Sequence, residues 1–167
     1  GMIVDKTSQV GDFIMLEDGT EGDVIDVGLR ATKIRTLDNE VVTVPNGKLS
    51  ESKVTNFVHP DYTLRMVIPF GVAYGSDIAK VKSVIMEELE ELDHLADKEP
   101  FIRFMEMDDS SLNFKAYYWI ENYRSRWDSL DEANTRIYDR LNREGISIPF
   151  PQRDVHVRSW RPFPPDD

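Results

Sequence analysis

The sequence contains no cysteine. That absence excludes a disulfide scaffold, a thiolate nucleophile and cysteine-ligated zinc or iron–sulfur centres, and it is compatible with a reducing compartment. No apolar run approaches the ~20 residues that a helix needs to cross a bilayer, and no signal-peptide pattern opens the chain. The chain as given is therefore expected to be soluble. Basic residues are scarce: 20 Lys and Arg stand against 31 Asp and Glu, a formal net charge of -11. A field of that sign repels nucleic acid and anionic lipid, so a stable grip on DNA or RNA requires the basic residues to gather on one face. The three histidines, His59, His94 and His156, are widely separated, and none pairs at metal-ligand spacing. No nucleophile elbow, dinucleotide fingerprint or Walker pattern occurs. The residues thus assign no catalytic group, no cofactor and no metal.

What is present divides into two architectures, and 167 residues suffice for two small cores. From Val10 to about Phe57 the chain is strand-like and punctuated by glycine. Val10–Thr20 reads as a strand ending in an Asp18-Gly19 turn, and Glu21–Gly28 begins another. Asp38-Asn39 suits the tight turn between Thr32–Leu37 and Glu40–Val44, because both residue types tolerate positive φ. Pro45-Asn46-Gly47 ends that strand and Lys53–Phe57 offers a closing one. Five short strands in so little chain predict a small barrel, which removes exposed edges by closing on itself.

After Phe57 the periodicity changes. Thr63–Ala73 alternates as a strand with one buried face, and Ser76 stands as an N-cap before Ile78, Val81, Ile85, Leu89 and Leu92 at helical spacing. Phe101–Met107 and Leu112–Glu121 are strands joined across Asp108–Ser111. Ser129-Leu130-Asp131-Glu132 forms a capping box before Ala133, Ile137 and Leu141, and Gly145 ends that helix. Arg153–Arg158 supplies a last strand, completing the ferredoxin-like order β-α-β-β-α-β. The acidic run Glu87–Asp93 reads as a solvated helix face, and Tyr117-Tyr118-Trp119 as a strand packed on helices or a neighbour. The fold expected is α+β: a small barrel over residues 9–57, a linker at 58–62, a ferredoxin-like unit over 63–160, and a proline-rich tail at 161–167.

Six stretches together carry a family resemblance: Val10–Ile14, Glu21–Asn39, Val44–Leu49, Val54–Phe57, Gly71–Val81 and Gly145–Gln152. In this order, over roughly residues 9–158, the chain resembles the cytoplasmic region of the small-conductance mechanosensitive channel (MscS-like) family. Thr7-Ser8-Gln9 departs from the family's usual approach to the first of these stretches, and the glycine- and alanine-rich pore helix is not in the sequence. Gly1 ahead of Met2 suggests the remnant of a cleaved tag, so an excised piece of a longer protein is expected, with residues 1–8 as the start and pore-helix junction.

The resemblance implies an Sm-like first domain that builds a ring beneath a pore, with Gly28, Arg30, Pro45 and Asn46 in the ring-forming motif. It further implies a homoheptamer whose hollow cage passes ions and small osmolytes, anchored in the inner membrane by helices ahead of this region and lying on the cytoplasmic side. His59 and Asp61, between the domains, are the candidates to border a side portal, and the acidic excess implies a mild preference for cations. Nucleic acid is not an expected partner. Arg30, Lys33 and Arg35 nevertheless leave an Sm-like oligomeric RNA-binding ring as the alternative, beside a free-standing scaffold that lost the channel. An enzyme is the third reading, because a ferredoxin-like topology hosts many activities.

Overall fold

The computed structural model describes residues 8–163 and 165–166. The junction expected at residues 1–8 lies outside the described residues, apart from Ser8. The fold is α+β, and the chain divides into two compact units. The first takes the chain up to Arg65 together with Trp119–Arg126, and the second takes Met66–Tyr118 and the chain from Trp127 onward.

In the first unit β1 (Phe13–Leu16), β2 (Glu21–Val27), β3 (Ala31–Thr36), β4 (Val41–Pro45) and β5 (Val54–Asn56) form one antiparallel sheet in the order β4-β3-β2-β1-β5. Alternation sends Ile14, Val24, Ile34 and Val44 to one buried face. Leu49, from the short helix α1 (Asn46–Glu51), joins them, with Leu16, Val42 and Val54 packed around. A sheet whose strands all turn one face to a single core must curl. Among the described residues its end strands β4 and β5 nevertheless remain edges, not hydrogen-bonded to each other. Gly22 is required at the β2–β3 ladder, since a Cβ there would lie 2.2 Å from the carbonyl oxygen of Arg35. Asn39 takes φ 63° in the β3–β4 turn, as its residue type foretells. The helix α1 was not expected, because six residues with one buried apolar side chain show no periodicity.

Trp119–Arg126 completes this unit. Tyr123 is buried against Phe13 and Phe57, with ring centroids 5.3 and 5.6 Å away, and its amide donates to the carbonyl of Tyr62 at 2.9 Å. Arg126, 8% exposed, donates to Glu21 Oε1 at 3.2 Å and to the Tyr123 carbonyl at 3.0 Å. Its guanidinium lies over the rings of Phe13 and Phe57 at 5.1 and 5.3 Å, an arrangement that offsets the desolvation of a buried charge. Arg124 donates to Asp23 at 2.9 Å. The Tyr123 hydroxyl has no hydrogen-bond partner among the described residues, and burial pushes its phenol up.

The second unit holds most of β6 (Leu64–Val72), β8 (Leu112–Ile120) and α3 (Arg126–Arg143) and all of α2 (Ile78–Glu91) and β7 (Phe101–Met107), with strand order β6-β8-β7. The buried faces foreseen on β6 and α2 appear as Met66, Ile68 and Val72 and as Val81, Ile85 and Leu89. Four local expectations change. Asp77, not Ser76, caps α2 by accepting from the Lys80 amide, while Ser76 donates to the Ala73 carbonyl. Helix α3 begins before Ser129, whose hydroxyl instead meets that of buried Tyr118 at 2.6 Å. Arg153–Arg158 is not a strand. Among the described residues Ser147 reaches the chain just past β6, its carbonyl accepting from the Ala73 amide, and Pro149 and Pro151 remove two amides. Val155 and Val157 are therefore left 72% exposed.

The fourth change concerns the acidic run. Glu88 is not solvated; it is 8% exposed and takes Arg140 at 2.9 Å, with Arg136 and Arg143 each at 3.5 Å. Arg140 also reaches Glu87 at 2.6 Å and Glu144 at 3.0 Å. This cluster holds Glu144 below its ordinary value of 4.5, chiefly through the hydrogen bond from Arg140, and raises the Arg140 guanidinium through its bonds to Glu87 and Glu88. Glu88→Ala leaves three guanidinium groups without their shared acceptor and is expected to destabilise the fold by about 2 kcal/mol in urea unfolding. A carboxyl lowered on folding stabilises above its unfolded value and loses that contribution as pH falls through its folded value. Glu144→Gln should accordingly flatten the fall in urea midpoint between pH 7 and pH 3 relative to the parent chain.

Candidate functional site

Gly28, Arg30, Pro45 and Asn46, which the family resemblance singles out, meet at one point. The Asn46 amide nitrogen donates to the Arg30 carbonyl at 2.8 Å, and its side-chain Nδ2 donates to the Gly28 carbonyl at 2.8 Å. Its Oδ1 accepts from the hydroxyl of buried Thr32 at 2.8 Å. Pro45 stands opposite Ala31 in the β3–β4 ladder, and the Gly28 amide donates to the Ala31 carbonyl at 2.9 Å. Asn46 therefore clamps the tip of the β2–β3 hairpin to the β4–α1 junction. Thr32 was not singled out in the sequence, although its inward place in the β3 alternation marks it. The clamp holds out a tip whose Leu29 is fully exposed, continuing a row of exposed apolar side chains, Ile25 and Val27, along β2.

The basic residues of the hairpin do not form an open path. Lys33 and Arg35 stand opposite Asp26 and Asp23 in the β2–β3 ladder, pairings of opposite charge. Arg35 also donates to Asn39 Oδ1 at 2.6 Å. Arg30 lies exposed at the tip.

His59 and Asp61 sit in the segment after β5 and are not brought to the clamp. His59 Nε2 lies 3.1 Å from Oδ1 of Asp12, a carboxylate only 4% exposed that also accepts from the Gln9 amide and Asn56 Nδ2, each at 3.0 Å. The Asp61 carboxylate turns back to accept from the Thr63 amide and hydroxyl. The other histidines stand apart: His94 Nδ1 is 3.0 Å from the Leu95 carbonyl, and His156 is exposed. Among the described residues, no three His, Asp or Glu side chains are placed to hold a metal ion. Nor is any helix of the described residues long and apolar enough to cross a membrane.

Comparison with known proteins gives this geometry a setting. Residues 2–59 match the family model described as "Mechanosensitive ion channel, beta-domain", and residues 66–148 match "Mechanosensitive ion channel MscS, C-terminal". The chain is 31% identical to the small-conductance mechanosensitive channel MscMJ of Methanocaldococcus jannaschii, over 93% of this chain and 45% of that protein. It is 39% identical to the small-conductance mechanosensitive channel of Edwardsiella ictaluri, over 83% of this chain and 48% of that protein. The chain thus spans about half the length of the curated relatives it matches. The crystal structure of Helicobacter pylori MscS in its closed state superposes with a TM-score of 0.83 at 26% identity, covering 92% of this chain and 60% of that one.

Removing the clamp should loosen the hairpin. Asn46→Ala deletes one side-chain donor and one acceptor and is expected to cost about 1–2 kcal/mol in urea unfolding. Amide exchange should accelerate at Gly28–Ala31 more than in β1 or β5.

Proposed function

Because this chain belongs to the MscS family of mechanosensitive ion channels, we propose that it is the cytoplasmic part of such a channel, the ring and cage beneath the pore through which ions and small osmolytes pass. Seven copies form the assembly, and the rest of the parent chain supplies the helices that anchor it in the inner membrane. The channel family, rather than an enzyme family, sets the class of activity. The observation that carries the reading is the surface of the first unit: an apolar row ending at fully exposed Leu29, beside a sheet whose two edges, β4 and β5, are unpaired among the described residues. Such a surface is an interface awaiting a neighbour. The hairpin tip of Gly28 and Arg30, with Pro45 and Asn46 behind it, presents that surface, and His59 and Asp61 border the side openings. The RNA-binding ring is the weaker reading, because Asp23 and Asp26 oppose the hairpin cations.

Two measurements test this. Leu29→Asp in the full-length channel should reduce the heptamer seen by native mass spectrometry and the survival of cells on osmotic downshock. Undiminished assembly would remove the hairpin tip from the interface. Asp61→Lys should move the reversal potential in a salt gradient toward anion preference, modestly at physiological salt, where the Debye length is ~8 Å. An unmoved potential would take Asp61 away from the permeation path.

A further inference from the structure

In the second unit the β7–β8 ladder sets Arg103 directly opposite Lys115. Cross-strand partners share a sheet face, with Cβ atoms about 4.5–5.5 Å apart, and like charges there oppose folding. Elsewhere this acidic chain does the reverse: Lys33 faces Asp26, and Arg35 faces Asp23. Among the described residues neither Arg103 nor Lys115 forms an ion pair with a carboxylate, so no salt bridge offsets the repulsion.

The pair is also held in place. Phe101 and Tyr117, the next partners on the same face, stack at 4.6 Å with ring planes 13° apart. The Arg103 guanidinium carbon lies 4.9 Å from the Phe101 centroid and 5.8 Å from that of Tyr117. A guanidinium resting on rings keeps its edge N–H donors directed outward, which preorganises it for a planar acceptor. Half-buried Lys115 lines an open depression of about 660 Å³ with Pro69, Gly71, Glu106 and Asn113. Glu106 shares that depression without pairing to Lys115.

We infer that Arg103 and Lys115 form a binding site for a small carboxylate-bearing solute, its carboxylate spanning the guanidinium fork and the ammonium. Two charge-assisted hydrogen bonds of this kind are the strong, oriented ones. The site lies wholly in the second unit and does not depend on the channel reading.

Sodium glutarate, added to the folded chain at constant ionic strength against sodium chloride, tests this by NMR. Saturable shifts of the backbone amides of Phe101–Met107 and Leu112–Tyr117 in the millimolar range are expected. Arg103→Gln and Lys115→Gln should each weaken binding by about tenfold or more, the loss of one charge-assisted contact. Lys115→Glu should abolish binding yet raise Tm by about 1–3 °C, because it turns a like pair into an opposite one. Shifts no larger than those from chloride would overturn the site, as would binding indifferent to Arg103→Gln. Binding of inorganic phosphate but not glutarate would overturn the carboxylate assignment. An unchanged or lowered Tm in Lys115→Glu would overturn its electrostatic premise.

Discussion

Twenty cations among thirty-one carboxylates impose the constraint to which the rest of the structure answers: repulsion is relieved only where a basic side chain reaches acids otherwise crowded together. Arg140 meets three carboxylates, those of Glu87, Glu88 and Glu144. Arg126 and Arg124 bring Glu21 and Asp23 of β2 against the Trp119–Arg126 segment. The pairings therefore do more than neutralise. They fix the register of α2 against α3 and seat Tyr123 in its aromatic surroundings. An exposed ion pair contributes little, but Arg126 and Glu88 are largely removed from water, where a missing partner is costly.

Much of the fold is legible in the chain because its signals are periodic. Period-two alternation in β6 and the three-to-four spacing of Val81, Ile85 and Leu89 reflect one-sided burial, and Asp38-Asn39 announces a turn by backbone tolerance. The misread features share a different origin. The sequence reading of Ser129 and Glu88 rests on their neighbours in the chain, whereas their partners come from elsewhere in the fold; Ser76 turns instead to the Ala73 carbonyl three residues back. The Ser129 hydroxyl is taken by Tyr118, and Glu88 is drawn inward by arginines on α3 spaced at 136, 140 and 143. That basic stripe was visible, but only together with the acidic face of α2 does it signify a buried cluster. Arg153–Arg158 has strand alternation without a strand, because pairing is a property of two segments.

The candidate site divides in the same way. Pro45, Asn46 and Gly28 could be marked as turn chemistry, yet the three hydrogen bonds of Asn46 join positions 14 to 18 residues apart and have no local signature. The exposed apolar row on β2 departs from the alternation that the first half of that strand obeys. The Val24–Asp26 bulge lies where the pattern changes, so side chains beyond it turn outward. Loss of alternation in a strand is thus itself a signal, of a surface meant to be covered.

The first unit is discontinuous in sequence: Phe13 and Phe57 are closed over by Tyr123, which belongs to a segment far downstream. On the ribosome, where synthesis runs at ~5–20 residues per second, the strands of this unit emerge before the residue that seals them. The interval is on the order of 3 to 13 s, during which two phenylalanines stand uncovered. The nascent chain is therefore most vulnerable to aggregation after its first sheet exists and before Tyr123, just past β8, has emerged, which makes the middle of the second unit, rather than the end of the first, the point at which the first becomes safe from other chains.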